Sequence, residues 1–168
     1  MARLPVALQI TTKHRGRSMT NKFKTILVPL DPALESTWRS ALPAAIDLAS
    51  NDQATLCLMT VVPEAEIPAI AVHLPDGLDE KLRDKGLDAL ETLRAREVPE
   101  SIHSRSLVGQ GRIDKQILRM AAKIDADLIV MASHRPKATD YLISAIAAYV
   151  TRHAKSSVMV VRERNEDR

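Results

Sequence analysis

Between Lys24 and Val161, short continuous apolar runs alternate with stretches in which apolar residues recur every three or four positions. No other feature of the chain restricts its fold as much. Each run has the length of a strand, and each stretch carries the stripe of an amphipathic helix. The runs Lys24–Leu30, Thr55–Val62, Ser101–Val108, Asp127–Ser133 and Ser157–Val161 read as strands. The stripe Leu34, Trp38, Ala41, Leu42, Ala45, Leu48 and Ala49 predicts a first helix, with a kink implied at Pro43. Leu78, Leu82, Leu90 and Leu93 mark a second, Ile113, Ile117, Ala121 and Ile124 a third, and Leu142, Ala145, Ile146, Tyr149 and His153 a fourth. Strands that are apolar throughout, rather than alternating, are buried on both faces. The expected class is therefore α/β, one parallel sheet covered by helices on both sides.

A chain of 168 residues suits one such domain. Its formal charge of +3 is unevenly placed. Removing the four basic residues of the leader (Arg3, Lys13, Arg15 and Arg17) from the 24 in the chain leaves 20 against 21 acidic residues, a net charge of −1. A folded body of that charge is no footprint for nucleic acid, and four aromatic residues offer no platform for stacked bases. The expected organisation is a basic leader over 1–21, a domain over 22–163 and a charged tail over 164–168. The leader reads as a disordered arm or as a start-site artefact upstream of Met19, since its basic cluster follows its short apolar stretch instead of preceding it. No apolar run is long enough to cross a bilayer as a helix. The single cysteine, Cys57, has no internal partner for a disulfide, which suits a reducing, cytoplasmic setting.

In open parallel sheets ligands bind beyond the carboxyl ends of the strands, where strand order reverses. Three segments there carry candidate chemistry. Pro29-Leu30-Asp31 ends the first strand with a carboxylate able to accept hydrogen bonds from ribose hydroxyls or an adenine edge, or else simply to shape the turn at Pro32. Gly109-Gln110-Gly111 opens a helix as a dinucleotide fingerprint does, although Asp114 stands in place of the third glycine, and two glycines also serve a plain turn. Ser133, His134, Arg135, Lys137 and Thr139 gather hydroxyls and cations before a helix amino terminus, which is a phosphate-like anion site or a solvated basic loop with Thr139 as its cap. Phosphate-cradling Gly-Lys loops, His-Glu-x-x-His and Gly-x-Ser-x-Gly are all missing, the five histidines lack metal spacing, and Cys57 lies mid-strand as a core residue would. His153, near a helix carboxyl end, reads as a partner of the helix dipole.

Lys24-Thr-Ile-Leu-Val-Pro-Leu-Asp31, Asp127-Leu-Ile-Val-Met-Ala-Ser-His-Arg-Pro136, Tyr141-Leu142 and Val150-Thr-Arg-His-Ala-Lys-Ser-Ser-Val-Met-Val-Val-Arg162 together resemble the universal stress protein family, and the Ala-Ser-His-Arg-Pro form is similar to its F/G subgroup. The resemblance implies a five-stranded sheet of order 3-2-1-4-5, Rossmann-like and akin to the adenine nucleotide alpha hydrolase-like folds, with about four helices. It also implies a cytoplasmic stress-response protein, a homodimer formed through the last strand at about 156–162, and a signalling partner protein. Many members bind ATP, with Mg²⁺ held mainly by the phosphates. Carried over, the binding positions are Pro29, Leu30 and Asp31; Val61; Gly111; Met131, Ala132, Ser133, His134 and Arg135; and Ser144 and Ala145. Ser144-Ala145 departs from the family's Gly-Ser or Gly-Thr pair, adding a side chain and removing a hydroxyl where phosphate would approach. Three functions follow: an ATP-binding signalling protein, a nucleotide-independent protein acting through protein contacts, and a slow ATPase or adenylyl transferase. The last lacks an evident general base.

Overall fold

The computed structural model describes residues 22–63, 77–133 and 144–162. In chain order the elements are β1 (Thr25–Pro29), a short 3-10 turn (Glu35–Thr37), α1 (Ala41–Asp52), β2 (Thr55–Val62), α2 (Leu78–Glu97), β3 (Ser104–Gln110), α3 (Ile113–Lys123), β4 (Leu128–Ala132), α4 (Ala145–His153) and β5 (Ser157–Val161). All five strands pair in parallel, in the order β3-β2-β1-β4-β5. The α/β class and the order 3-2-1-4-5 are both as expected.

Strand parity divides the core into two layers. Ile26, Val28, Leu56, Leu58, Leu128 and Val130 pack beneath Ala41, Leu42, Ala45 and Ala49 of α1 and Leu90 and Leu93 of α2. Leu27, Cys57, Met59, Ile129 and Met131 face the other way, against Ile117 and Ala121 of α3 and Ala147 and Val150 of α4. Both strand faces are apolar because both are covered. Asp127 fixes where β4 starts beside β1: its Oδ2 accepts the Lys24 and Thr25 N–H groups at 2.8 and 2.9 Å.

Two element boundaries differ from the sequence reading. The first helix begins at Ala41 rather than near Leu34, and the residues before it form the 3-10 turn. Pro43 is thereby the third residue of α1, in the first turn, where no intrahelical acceptor awaits its missing N–H. It opens the helix instead of kinking it. The third strand runs from Ser104 to Gln110, not from Ser101 to Val108, so that Gly109 belongs to the strand and Gly111 alone makes the turn, with φ +109°. A Cβ on Gly109 would stand 2.7 Å from Met59 Cε and 3.1 Å from Gln116 Cβ, and that close approach of strand to helix explains the glycine.

Candidate functional site

β1 is bordered by β2 on one side and β4 on the other, so chain direction away from it reverses there. Beyond its carboxyl end, on the α3/α4 side, lies a pocket of about 150 Å³. Its floor is Met59 and Val61 from β2 with Met131 and Ala132 from β4; its walls are Pro29, Leu30 and Asp31, Thr37, Ile113 and Ile117 of α3, and Ser144 and Ile146 at the start of α4. Among the described residues it is an apolar slot with one carboxylate and two hydroxyls at its rim. Typical ligand pockets measure about 300–1,000 Å³, so the described part fits a ring system rather than a whole nucleotide.

The carboxylate is oriented by its own turn. Asp31 Oδ1 accepts the Ala33 N–H at 2.9 Å, closing an Asx turn that Pro32 favours, while Oδ2 makes no hydrogen bond among the described residues. The Asp31 N–H in turn donates to Thr37 Oγ1 at 2.9 Å, and that hydroxyl donates to the Leu34 carbonyl at 2.7 Å. Shaping the turn and bordering the slot are thus compatible roles for one side chain: one oxygen holds the loop and the residue lines the cavity.

α4 enters the site through Ser144, which caps the helix by accepting the Ala147 N–H on Oγ at 3.2 Å. Its φ of −54° and ψ of 148° suit any residue, so a serine stands at this helix entry without backbone strain. Ser133 follows β4, donates its N–H to Val161 O at 2.8 Å, and is 7% exposed, and its Oγ has no hydrogen-bond partner among the described residues. A buried unpaired hydroxyl costs about 1–3 kcal/mol, and Ser36, Ser40 and Ser106 share this state. At the start of α3, Arg112 Nη2 lies 2.7 Å from Asp114 Oδ2, and this hydrogen bond holds the Asp114 carboxyl below its usual range.

Of the positions carried over by resemblance, Pro29, Leu30, Asp31, Val61, Met131, Ala132 and Ser144 meet around the slot. Gly111, Ser133 and Ala145 do not line it: Gly111 turns the chain into α3 with its N–H on Val62 O at 3.0 Å, and Ala145 is the exposed first residue of α4. His134 and Arg135 lie outside the described residues, as do Lys137 and Thr139. Thr37, Met59, Ile113, Ile117 and Ile146 are lining residues that the sequence reading missed. Ile113 and Ile146 had a signal: each falls within the first two residues of a helix at the functional end of the sheet, and they remain 46% and 36% exposed.

Fold and site together define a Rossmann-like α/β domain with a small apolar slot where strand order reverses. The universal stress protein family model matches residues 22–162, and the chain belongs to that family. Universal stress protein G of Salmonella typhimurium is 27% identical over 142 residues, spanning 83% of this chain and 99% of the relative. The solved structure of universal stress protein UspA from Lactobacillus plantarum superposes with a TM-score of 0.68 at 23% identity, covering 84% of this chain and 99% of that one. A universal stress protein solved in complex with cAMP gives a TM-score of 0.54 at 18% identity, over 84% and 98% of the two chains. At these identities the solved structures speak for the fold.

Proposed function

We propose that this chain binds ATP in the slot beyond β1 and acts in stress signalling through the occupancy of that slot. The observation that carries the reading is Asp31, whose Oδ2 makes no hydrogen bond among the described residues and which lines a ring-sized apolar cavity at the strand switch point. An adenine ring would lie on Val61, Met131 and Ala132 between Ile113 and Ile146, with Asp31 accepting from ribose hydroxyls. The amino terminus of α4 and the Ser133 hydroxyl would face the phosphates, which themselves hold Mg²⁺. That a relative of the same fold was solved with cAMP, another adenine nucleotide, supports this reading.

Titration calorimetry of nucleotide-stripped protein with ATP and Mg²⁺ tests it. Binding is expected, and Asp31→Ala is expected to weaken it by about tenfold or more, since a charge-assisted hydrogen bond contributes about 1.5–3 kcal/mol. Unaltered affinity in Asp31→Ala would remove the assignment. A second reading, a nucleotide-independent protein acting through protein contacts, is favoured by one observation: Ser144 uses its oxygen as a helix cap and Ala145 has no hydroxyl. Absence of binding by the folded wild type would establish it.

β5 is an open edge whose Met159 is 42% exposed, and it is the surface through which a homodimer would form. Among the described residues no helix is long and apolar enough to cross a membrane. Membership of the universal stress protein family supports a cytoplasmic setting, which we propose for this chain.

A further inference from the structure

The edge of the sheet opposite β5 is built differently. β3 pairs with β2 alone. Leu56 N–H donates to His103 O at 2.9 Å and Gly111 N–H to Val62 O at 3.0 Å, so in a parallel ladder the odd-numbered residues of β3 face β2. The N–H and C=O groups of Ser104, Ser106, Val108 and Gln110 therefore point out of the sheet. Natural edges of this length are commonly covered or closed by proline. This one has neither among the described residues; a groove of about 1100 Å³ runs along it between α2 and α3, and it shares no residue with the slot at β1.

The groove has an apolar floor and two rims of opposite charge. Leu87, Leu107, Val108 and Ile124 contribute to the floor. Asp79, Glu80 and Asp84, with Arg83, line the α2 rim; Arg105 of β3 and Lys123 of α3, with Asp125, line the opposite rim. None of these seven side chains forms an ion pair among the described residues. Arg105 instead donates from Nε to Cys57 Sγ at 3.1 Å.

We infer that the outer edge of β3 receives an extended segment of a different protein, which adds a strand to the sheet. Side chains of an added strand alternate between the two faces. The fitting segment carries Lys or Arg at every second position, toward α2, and Asp, Glu or apolar residues between them, toward α3. A second copy of this chain does not fit. A parallel ladder cannot be two-fold symmetric, because aligned residues present their hydrogen-bonding groups in opposite directions. An antiparallel pair about a two-fold axis keeps each face with its own kind, setting acidic rim against acidic rim and basic against basic. Charge thus selects another protein.

The probe is a fluorescein-labelled ten-residue peptide with lysine at every second position and glutamate or valine between. Its control has the same composition with the lysines in one block. Anisotropy is expected to show binding of the alternating peptide, weakened about tenfold or more by the surface reversals Asp84→Lys and Lys123→Glu. Hydrogen exchange on the complex is expected to protect the Ser104, Ser106, Val108 and Gln110 amides. Ser106→Pro removes an outward N–H without breaking the ladder to β2, and it should abolish binding while leaving the thermal melt and ATP titration unchanged. Equal binding of both peptides, indifference to Asp84→Lys, or no protection of those amides would each overturn the assignment. So would a dimer in sedimentation that Ser106→Pro dissociates, since that is self-pairing.

Discussion

Asp31 and Ser144 show how single residues at the carboxyl edge of this sheet shape the fold and border the slot at once, while Gly111 serves the fold alone. Asp31 holds a turn with one oxygen and lines the slot. Gly111, at φ +109°, lies where an L side chain is strained, and its N–H ties the turn to Val62. Gly111→Ala is expected to destabilise the protein by about 1–2 kcal/mol, read as a lower urea midpoint at unchanged slope. Ser144 carries the opposite lesson. At the sequence level a serine in place of the family's glycine adds a side chain where phosphate would approach, yet the backbone angles there ask for no glycine, and the side chain is taken up in capping α4.

At the level of elements, α2 shows how a largely polar helix is held. Only Leu90 and Leu93 are fully buried, and Arg94 grips Glu91 Oε2 through Nη2 and Nε at 2.6 and 2.9 Å. That hydrogen bonding lowers the Glu91 pKa. A carboxylate with a depressed folded-state pKa contributes stability that is present above its unfolded value and lost as pH falls through the folded one. Glu91→Gln should therefore flatten the acid limb of stability against pH, by less than about 1 kcal/mol because the pair is solvent-screened. Chemical denaturation at stepped pH measures this. The elements were legible because burial on both faces writes itself into uninterrupted apolar strands, as in Leu56–Met59. Boundaries were less so. The Leu34–Ala49 stripe continues across the 3-10 turn, since Trp38 joins the same core layer without being in α1. Ile113 and Ile146 sit in the helical stripes of core residues; only their place in the fold shows that they border a cavity. Position along a stripe says which face is buried, not what covers it.

On the scale of the whole molecule, the sheet has two open edges among the described residues, β3 and β5. The β5 ladder to β4 uses odd residues, with Ser157 N–H on Asp127 O and Ser133 N–H on Val161 O, so Val158 and Val160 turn their amides outward. Val160→Pro leaves that ladder intact and is expected to convert a β5-paired homodimer to monomer in sedimentation velocity, with the circular dichroism spectrum retained. The charged rims of β3 leave its edge to other chains. Between these edges lies Cys57 in β2, wholly inaccessible and in contact with Arg105 Nε. Because no other thiol exists in the chain, this atom is a built-in clock for the opening of the sheet. Its rate of labelling by a maleimide should be negligible in the native protein and should rise with urea in step with global unfolding, giving the lifetime of the folded state from one unmodified residue.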